Sequence, residues 1–173
     1  SFKTAVVANR RVYIGNVQQD GVIQEDRMIK SPVNQFDKFP SVNNIDVAVN
    51  DGDAIVHLIE YADRIIQFKK NTAYIINISG AAEYLEAEHK FKGISNPGAA
   101  CRMDYGVAWV NQHGCYLYNG KTIIDLMLNR QGKRKIDPES WKSSIGTAVD
   151  APVSVGYSAT GKVLVVDLDA SSS

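Results

Sequence analysis

The stretch 104-DYGVAWVNQHGCYLYNGK-121 decides the fold. Gly106-Val107-Ala108-Trp109-Val110 is one apolar run, broken at Asn111-Gln112-His113-Gly114. Cys115-Tyr116-Leu117-Tyr118 is the next run, and Asn119-Gly120 closes it. Both residues of Asn-Gly tolerate the positive φ of a type I′ turn, so the stretch predicts two short strands and a hairpin into a third.

The same unit recurs. Second strands align at Val12, Ile65, Val107 and Val163, intervals of 53, 42 and 56 residues. Asp63–Phe68 matches Tyr105–Val110 in place. About four short strands per unit at this spacing predict an all-β fold, a β-propeller-like repeat of four-stranded antiparallel blades. The chain holds about three and a half of them, with short helical turns in the loops. We expect residues 1–173 to form a single β-repeat domain. The chain starts without Met and ends in Ala170-Ser171-Ser172-Ser173, so we expect a piece of a longer polypeptide.

Outward from the central unit, strands are predicted at Thr4–Ala8 and Arg11–Val17 around Asn9-Arg10, and at Asp26–Ser31 after the turn 18–21. Residues 32–44 read as an ordered loop with Phe36 and Phe39 anchored in the core, followed by the brief apolar run Ile45–Val49. Ile55–Tyr61, Arg64–Phe68, Thr72–Ser79 and Tyr84–Lys92 form the next set. In the last, Tyr84, Glu86, Glu88 and Lys90 would share one strand face. Ala99–Met103 and Thr122–Leu126 complete the central set. Asp137 then Pro138 signal an N-cap and first position of a short helix. Val153–Tyr157 and Lys162–Leu168 form a final hairpin around 158–161.

Composition excludes several classes. Hydrophobic residues make up 45% and charged residues 22%, a globular balance. Nineteen basic and nineteen acidic residues cancel, so no global field favours nucleic acid, a membrane surface or an acidic substrate. No apolar run approaches the roughly 18 residues that span a bilayer. Nothing at Ser1–Ala8 resembles a signal peptide. Cys101 and Cys115 are too few for a disulfide framework and read as reduced, buried thiols on strands one and three of one sheet.

Each cluster that could carry chemistry has a plainer structural reading. Cys101, Asp104, His113 and Cys115 occur together, but a Cys–His nucleophile needs hydrogen-bond reach and an orienting third group. The spacing of the cysteines is not that of a zinc site. Asp46, Asn50, Asp51 and Asp53 surround Gly52 without the calcium-loop pattern, so a turn capped by its own carboxylates is expected, with weak cation binding left open. Arg130, Lys133, Arg134 and Lys135 make a basic loop without neighbouring aromatic residues. Tyr105, Trp109, Tyr116 and Tyr118 read as packing between sheets. Asp53, Asp63, Asp104 and Asp167 lie at ends of second strands, where an enzymatic propeller would need facing carboxylates. No phosphate loop, dinucleotide fingerprint, zinc-protease motif or nucleophile elbow occurs. No catalytic, cofactor-binding or metal-binding residue is therefore expected.

The stretches ANRRVYIGNV (8–17), DRMIKSPVNQFDKFP (26–40), VAVNDGDAIVHLIEYADRIIQFKKNTAYIINIS (47–79), FKGISNPGAACRMDYGVAWVNQHGCYLYNGK (91–121) and VGYSATGKVLVVD (155–167) resemble tailed-bacteriophage virion proteins. The order Asn-Arg-Arg-Val-Tyr-Ile-Gly, Ser-Pro, Phe-Asp-Lys-Phe-Pro is similar to the β-propeller region of podophage tail nozzle (tail tubular B-like) or head-to-tail proteins. The resemblance implies a structural, non-enzymatic virion component of the tail or neck, assembled in the host cytoplasm. It implies portal, adaptor or tail proteins as partners, a homo-oligomeric ring, and transient contact with genomic DNA in a lumen. The alternative is a propeller-type module that binds carbohydrate or peptide, with Trp109 or the tyrosines lining its site.

Overall fold

The computed structural model describes residues 1–46, 51–146 and 153–168. It is mostly β, and every strand pairing is antiparallel. The first sheet holds β1 (Phe2–Ala8), β2 (Arg11–Gln19), β3 (Val22–Lys30) and β4 (Asn44–Ile45). The second holds β5 (Ile55–Tyr61), β6 (Arg64–Lys69), β7 (Thr72–Asn77) and β8 (Tyr84–Lys90). The third holds β9 (Ala100–Met103), β10 (Gly106–Asn111), β11 (Gly114–Tyr118) and β12 (Ile123–Asp125). β13 (Val153–Ser158) and β14 (Val163–Leu168) form a hairpin, and α1 spans Pro138–Gly146. In each sheet the strand order equals chain order. The chain divides into two compact units, Ser1–Gly93 and Ile94–Ser173.

Turn chemistry explains the meanders. Asn9-Arg10, Asp20-Gly21 and Ala62-Asp63 all take positive φ at both positions, the two-residue turn whose twist matches flanking strands. Asn119-Gly120 closes a hairpin by another route. Only Gly120 has positive φ, while the Asn119 side-chain oxygen accepts from the Lys121 and Thr122 amides. Asp137 caps α1 as expected, its carboxylate accepting from the Glu139 and Ser140 amides.

The last strand of the second sheet departs from simple alternation. A register shift pairs Ile75 with Ala87 but Ile76 with Leu85, leaving Glu86 as an inserted residue. Tyr84 therefore shares a face with Ala87 and His89, and Glu88 and Lys90 share the other with Leu85. The expected single face is broken at Glu86, whose carboxylate instead accepts from Arg64 and Asn77. The loop after β3 also differs from expectation. Phe39 packs on Ile14, Val17 and Ile29, but Phe36 is 50% exposed. Backbone bonds from Asn34 to Arg10, Gln35 to Pro32 and Lys38 to Gln35 hold that loop without its side chain. Of the run Ile45–Val49, Ile45 lies in β4, and residues 47–49 fall outside the described ones.

In the first unit, β5 lies against β1, β2 and β3. Ala8, Tyr13, Met28 and Ile45 from the first sheet meet Ile55, Leu58, Ile65, Ile76 and Ile78 in one core. Burial of each large aliphatic side chain there contributes about 1.5–3 kcal/mol. Polar groups stitch the same seam. Asn16 donates to the Ile55 carbonyl, Asn9 to the Ile78 carbonyl, and Thr4 accepts from the Leu58 amide. Glu83, on the loop before β8, accepts from the Tyr13 hydroxyl and the Lys30 ammonium. In the second unit, β13 lies against β9 and β10.

Two glycines mark close approaches. A Cβ on Gly15 would stand 3.1 Å from Ile55, 3.2 Å from Leu58 and 3.3 Å from Thr4. Gly106 has φ 151°, and a Cβ there would fall 1.9 Å from the Tyr118 carbonyl oxygen. Urea denaturation is expected to show Gly15→Ala destabilised by about 1–3 kcal/mol, since side-chain ends can shift. Gly106→Ala meets backbone and should lose more. Equal stability of Gly106→Ala and wild type would contradict this packing.

Candidate functional site

The densest polar arrangement is built at the end of β6. Period-two alternation puts Ile65, Gln67 and Lys69 on one face, and Ile65 is part of the core, so Lys69 points inward. Lys69 is 0% exposed. An ammonium there needs a partner, since an unpaired buried charge is costly. Asp51 supplies it, with its two carboxylate oxygens 2.7 and 2.8 Å from Lys69 Nζ. The Tyr74 hydroxyl donates to Asp51 Oδ2 at 2.8 Å, and its ring centroid lies 5.4 Å from Nζ. The Asp53 amide donates to Asp51 Oδ1. The Asp53 carboxylate accepts from the Lys70 and Asn71 amides at 3.0 and 2.8 Å, capping the turn into β7.

Burial pushes the Asp51 carboxyl upward, but hydrogen bonds from Lys69 and Tyr74 outweigh it and hold the group below its ordinary value. Burial, then the Asp51 carboxylate, pushes the Tyr74 phenol well above its ordinary range. The acidic cluster is thus a capped turn, as expected, and the cation at Asp51 is the chain's own Lys69. Asp46 turns elsewhere, to Arg27 at 3.3 Å, and Asn50 lies outside the described residues. Lys69 and Tyr74 were absent from the sequence-based candidates. Lys69 lies one residue beyond the expected strand Arg64–Phe68, and its place two residues beyond Gln67 and four beyond Ile65 is the available signal.

The cysteine cluster is not brought together. Cys101 on β9 pairs with Ala108 and Cys115 on β11 pairs with Val110, so β10 separates their strands. Both are free thiols. Burial, with lesser effects from Asp125 and Cys101, pushes the Cys115 thiol up to about 11; burial also raises Cys101. His113 is exposed in the β10–β11 turn, its ring 3.3 Å from the Gln112 amide. Asp104 is engaged with Lys162 at 3.3 Å and with the Tyr157 hydroxyl at 3.4 Å.

The remaining candidates are also used locally. Arg134 donates to the His113 carbonyl and Lys135 to the Leu126 carbonyl, while the Asn129 side chain accepts from the Gln131 and Lys133 amides. The basic stretch with Arg130 and Lys133 is therefore an ordered loop. Trp109 is 0% exposed and stacks at 5.6 Å on Tyr116, its cross-strand neighbour. Tyr116 and Tyr118 are buried as well, whereas Tyr105 is exposed beneath the Lys162 ammonium. Trp109, Tyr116 and Tyr118 thus present no surface to a ligand, and Trp109 and Tyr116 pack on each other across the β10–β11 pair.

The four strand-end carboxylates do not face one another within either unit. Asp63 precedes β6, whereas Asp53 caps the turn after it, about 20 Å away at strand rise. Asp104 meets Lys162 at one end of β14, while Asp167 pairs with Ser154 toward the other. Among the described residues no group of three or more His, Cys, Asp or Glu side chains could hold a metal ion. No described helix is long and apolar enough to cross a membrane. A scan against protein-family models finds no match to this chain, and no curated protein matches it significantly.

The ion pair predicts an asymmetry. Asp51→Ala removes the carboxylate that neutralises a fully buried ammonium and should cost about 3–5 kcal/mol in urea denaturation. Lys69→Met leaves a carboxylate that water can reach, and should cost less. The double variant should recover part of the loss. The folded Asp51 value lies below 3.8, so its contribution to stability is complete above pH 3.8 and is lost as pH falls through the folded value. A Lys69→Met variant as unstable as Asp51→Ala would contradict the asymmetry.

The thiols give a separate test. At pH 7 the protonated Cys115 should react with an aromatic disulfide reagent only at the rate of unfolding. Rapid labelling of Cys115 in the folded chain would count against its burial.

Proposed function

We propose that this chain is an architectural module of a tailed-bacteriophage virion, a propeller-like piece of the tail nozzle or head-to-tail neck. The observation that carries this reading is a repeated relation between sheets. β5, the first strand of the second sheet, lies against β1, the first strand of the first. β13, the first strand of the final hairpin, lies against β9, the first strand of the third sheet. Blades arranged radially about an axis place successive first strands side by side in this way.

The residues that carry the resemblance support the same reading, because they fall on the elements that make the repeat. ANRRVYIGNV spans the first tight turn and most of β2, and the run to Ser79 spans β5–β7. The polar groups described above hold strands, turns and sheets together, which suits a load-bearing part. Its role would be assembly of a homo-oligomeric ring with portal, adaptor or tail proteins, in the virion, around a lumen through which the genome passes. Catalysis has no part in it.

Mass photometry and negative-stain microscopy of the expressed chain, alone and mixed with portal and tail proteins of a podophage, test the proposal. Rings, or incorporation into a portal–tail assembly, are expected. A strictly monomeric chain that joins no virion component would overturn it.

A further inference from the structure

The seam between the two sheets of the first unit carries an imidazole, that of His57 on β5. Thr4, on β1, is buried. Its Oγ1 accepts from the Leu58 amide at 3.1 Å and lies 3.2 Å from His57 Nδ1. A hydroxyl has a single proton to give. Among the described residues His57 Nδ1 is the acceptor within its reach. The opposite arrangement, with Nδ1–H pointing at Thr4, would leave a buried hydroxyl proton unsatisfied, at a cost of about 1–3 kcal/mol. The chain of bonds therefore runs from Leu58 N–H to Thr4 and from Thr4 O–H to His57. It requires a neutral imidazole with its proton on Nε2.

We propose that His57 is a proton-operated latch on this seam: a neutral ring receives the Thr4 hydroxyl and closes β5 onto β1, and a protonated ring cannot. Protonation puts a hydrogen on Nδ1, so the ring can no longer receive the Thr4 proton across the 3.2 Å gap. The hydroxyl must then turn its proton away and accept from Nδ1–H through its second lone pair, and the buried proton loses its acceptor.

Few neighbours are available to soothe the added charge. The strands around His57 carry Lys3 on β1, Arg11 and Tyr13 on β2, Glu25, Asp26, Arg27 and Lys30 on β3, Glu60 and Tyr61 on β5, and Arg64 and Lys69 on β6. Arg27 pairs with Asp46 and Arg64 with Glu86. Tyr13 and Lys30 are taken up by Glu83, and Lys69 by Asp51. The residue directly across from His57 on β6 is Phe68. Burial lowers the ring's titration below its ordinary 6.5, and no charged group shifts it further. The sign follows. The folded state resists protonation, so the latch is fully closed above pH 6.5 and its stabilisation is lost as pH falls from 6.5 through the folded value. This holds whatever the chain's assembly partners are.

Nitrogen-15 and proton NMR of the full chain between pH 8 and 4.5 tests it, with His57→Gln identifying the His57 signals. The expected result is an Nε2–H tautomer at pH 8, a titration midpoint below 6.5, and a Leu58 amide shift with the same midpoint. His57→Gln keeps an acceptor for Thr4 without a titrating group, and should remove that midpoint from the Leu58 amide. An Nδ1–H tautomer, a midpoint at or above 6.5, or a Leu58 amide indifferent to the titration would each overturn the proposal.

Discussion

The first unit depends on the close approach of β5 to the first sheet at Gly15. A four-stranded sheet buries little by itself; its apolar face needs a second layer. Here the second layer can come within contact distance because β2 has no side chain at that point. Ile55 and Leu58 then reach the space above Gly15, and the core of Tyr13, Met28, Ile65 and Ile76 closes around them.

Closing that core has a polar consequence. Strand backbones and side chains at the seam lose water, so each of their polar groups must find a partner. Asn16, Asn9, Thr4 and Glu83 answer this in the same way, by spanning from one sheet to the other. Lys69 is the extreme case, a whole charge carried inward by strand alternation and neutralised by a loop carboxylate. These contacts make the packing specific in direction and register, which apolar burial alone does not. They also couple the seam to pH, through His57, whose burial holds its titration below 6.5, and through Asp51 and Glu83, held below the ordinary carboxylate range.

The second unit solves the same problem with aromatic residues. Trp109 on β10 stacks on Tyr116 of β11, and Tyr118 is buried two residues further along that strand. The Trp141 indole, on α1, donates to the Asn111 carbonyl and ties the helix to the β10–β11 turn. The cysteines and His113 in this region sit where the strands and turn place them, without converging on a reaction centre.

Strands, turns and their count were legible in the sequence because each depends on near neighbours. Alternation marks the start of β2, continuous apolar runs mark β6 and β10, and Asn9 and Asp63 tolerate the left-handed backbone of a tight turn, which Arg10 and Ala62 share with them. The cap at Asp137 is local for the same reason. Phe36 and Phe39 were indistinguishable by type, and only the backbone bonds of their loop put one outside and one in. The bulge at Glu86 was invisible because an inserted residue is defined by its partner strand. Lys69 with Asp51, and Tyr13 with Glu83, join residues 18 and 70 apart. Period and propensity carry no term for such distances. The sequence by itself therefore determined the strands and their order, and only the tertiary structure decided which charges, hydroxyls and rings meet, because those meetings are made by strand register, loop closure and sheets packing on sheets.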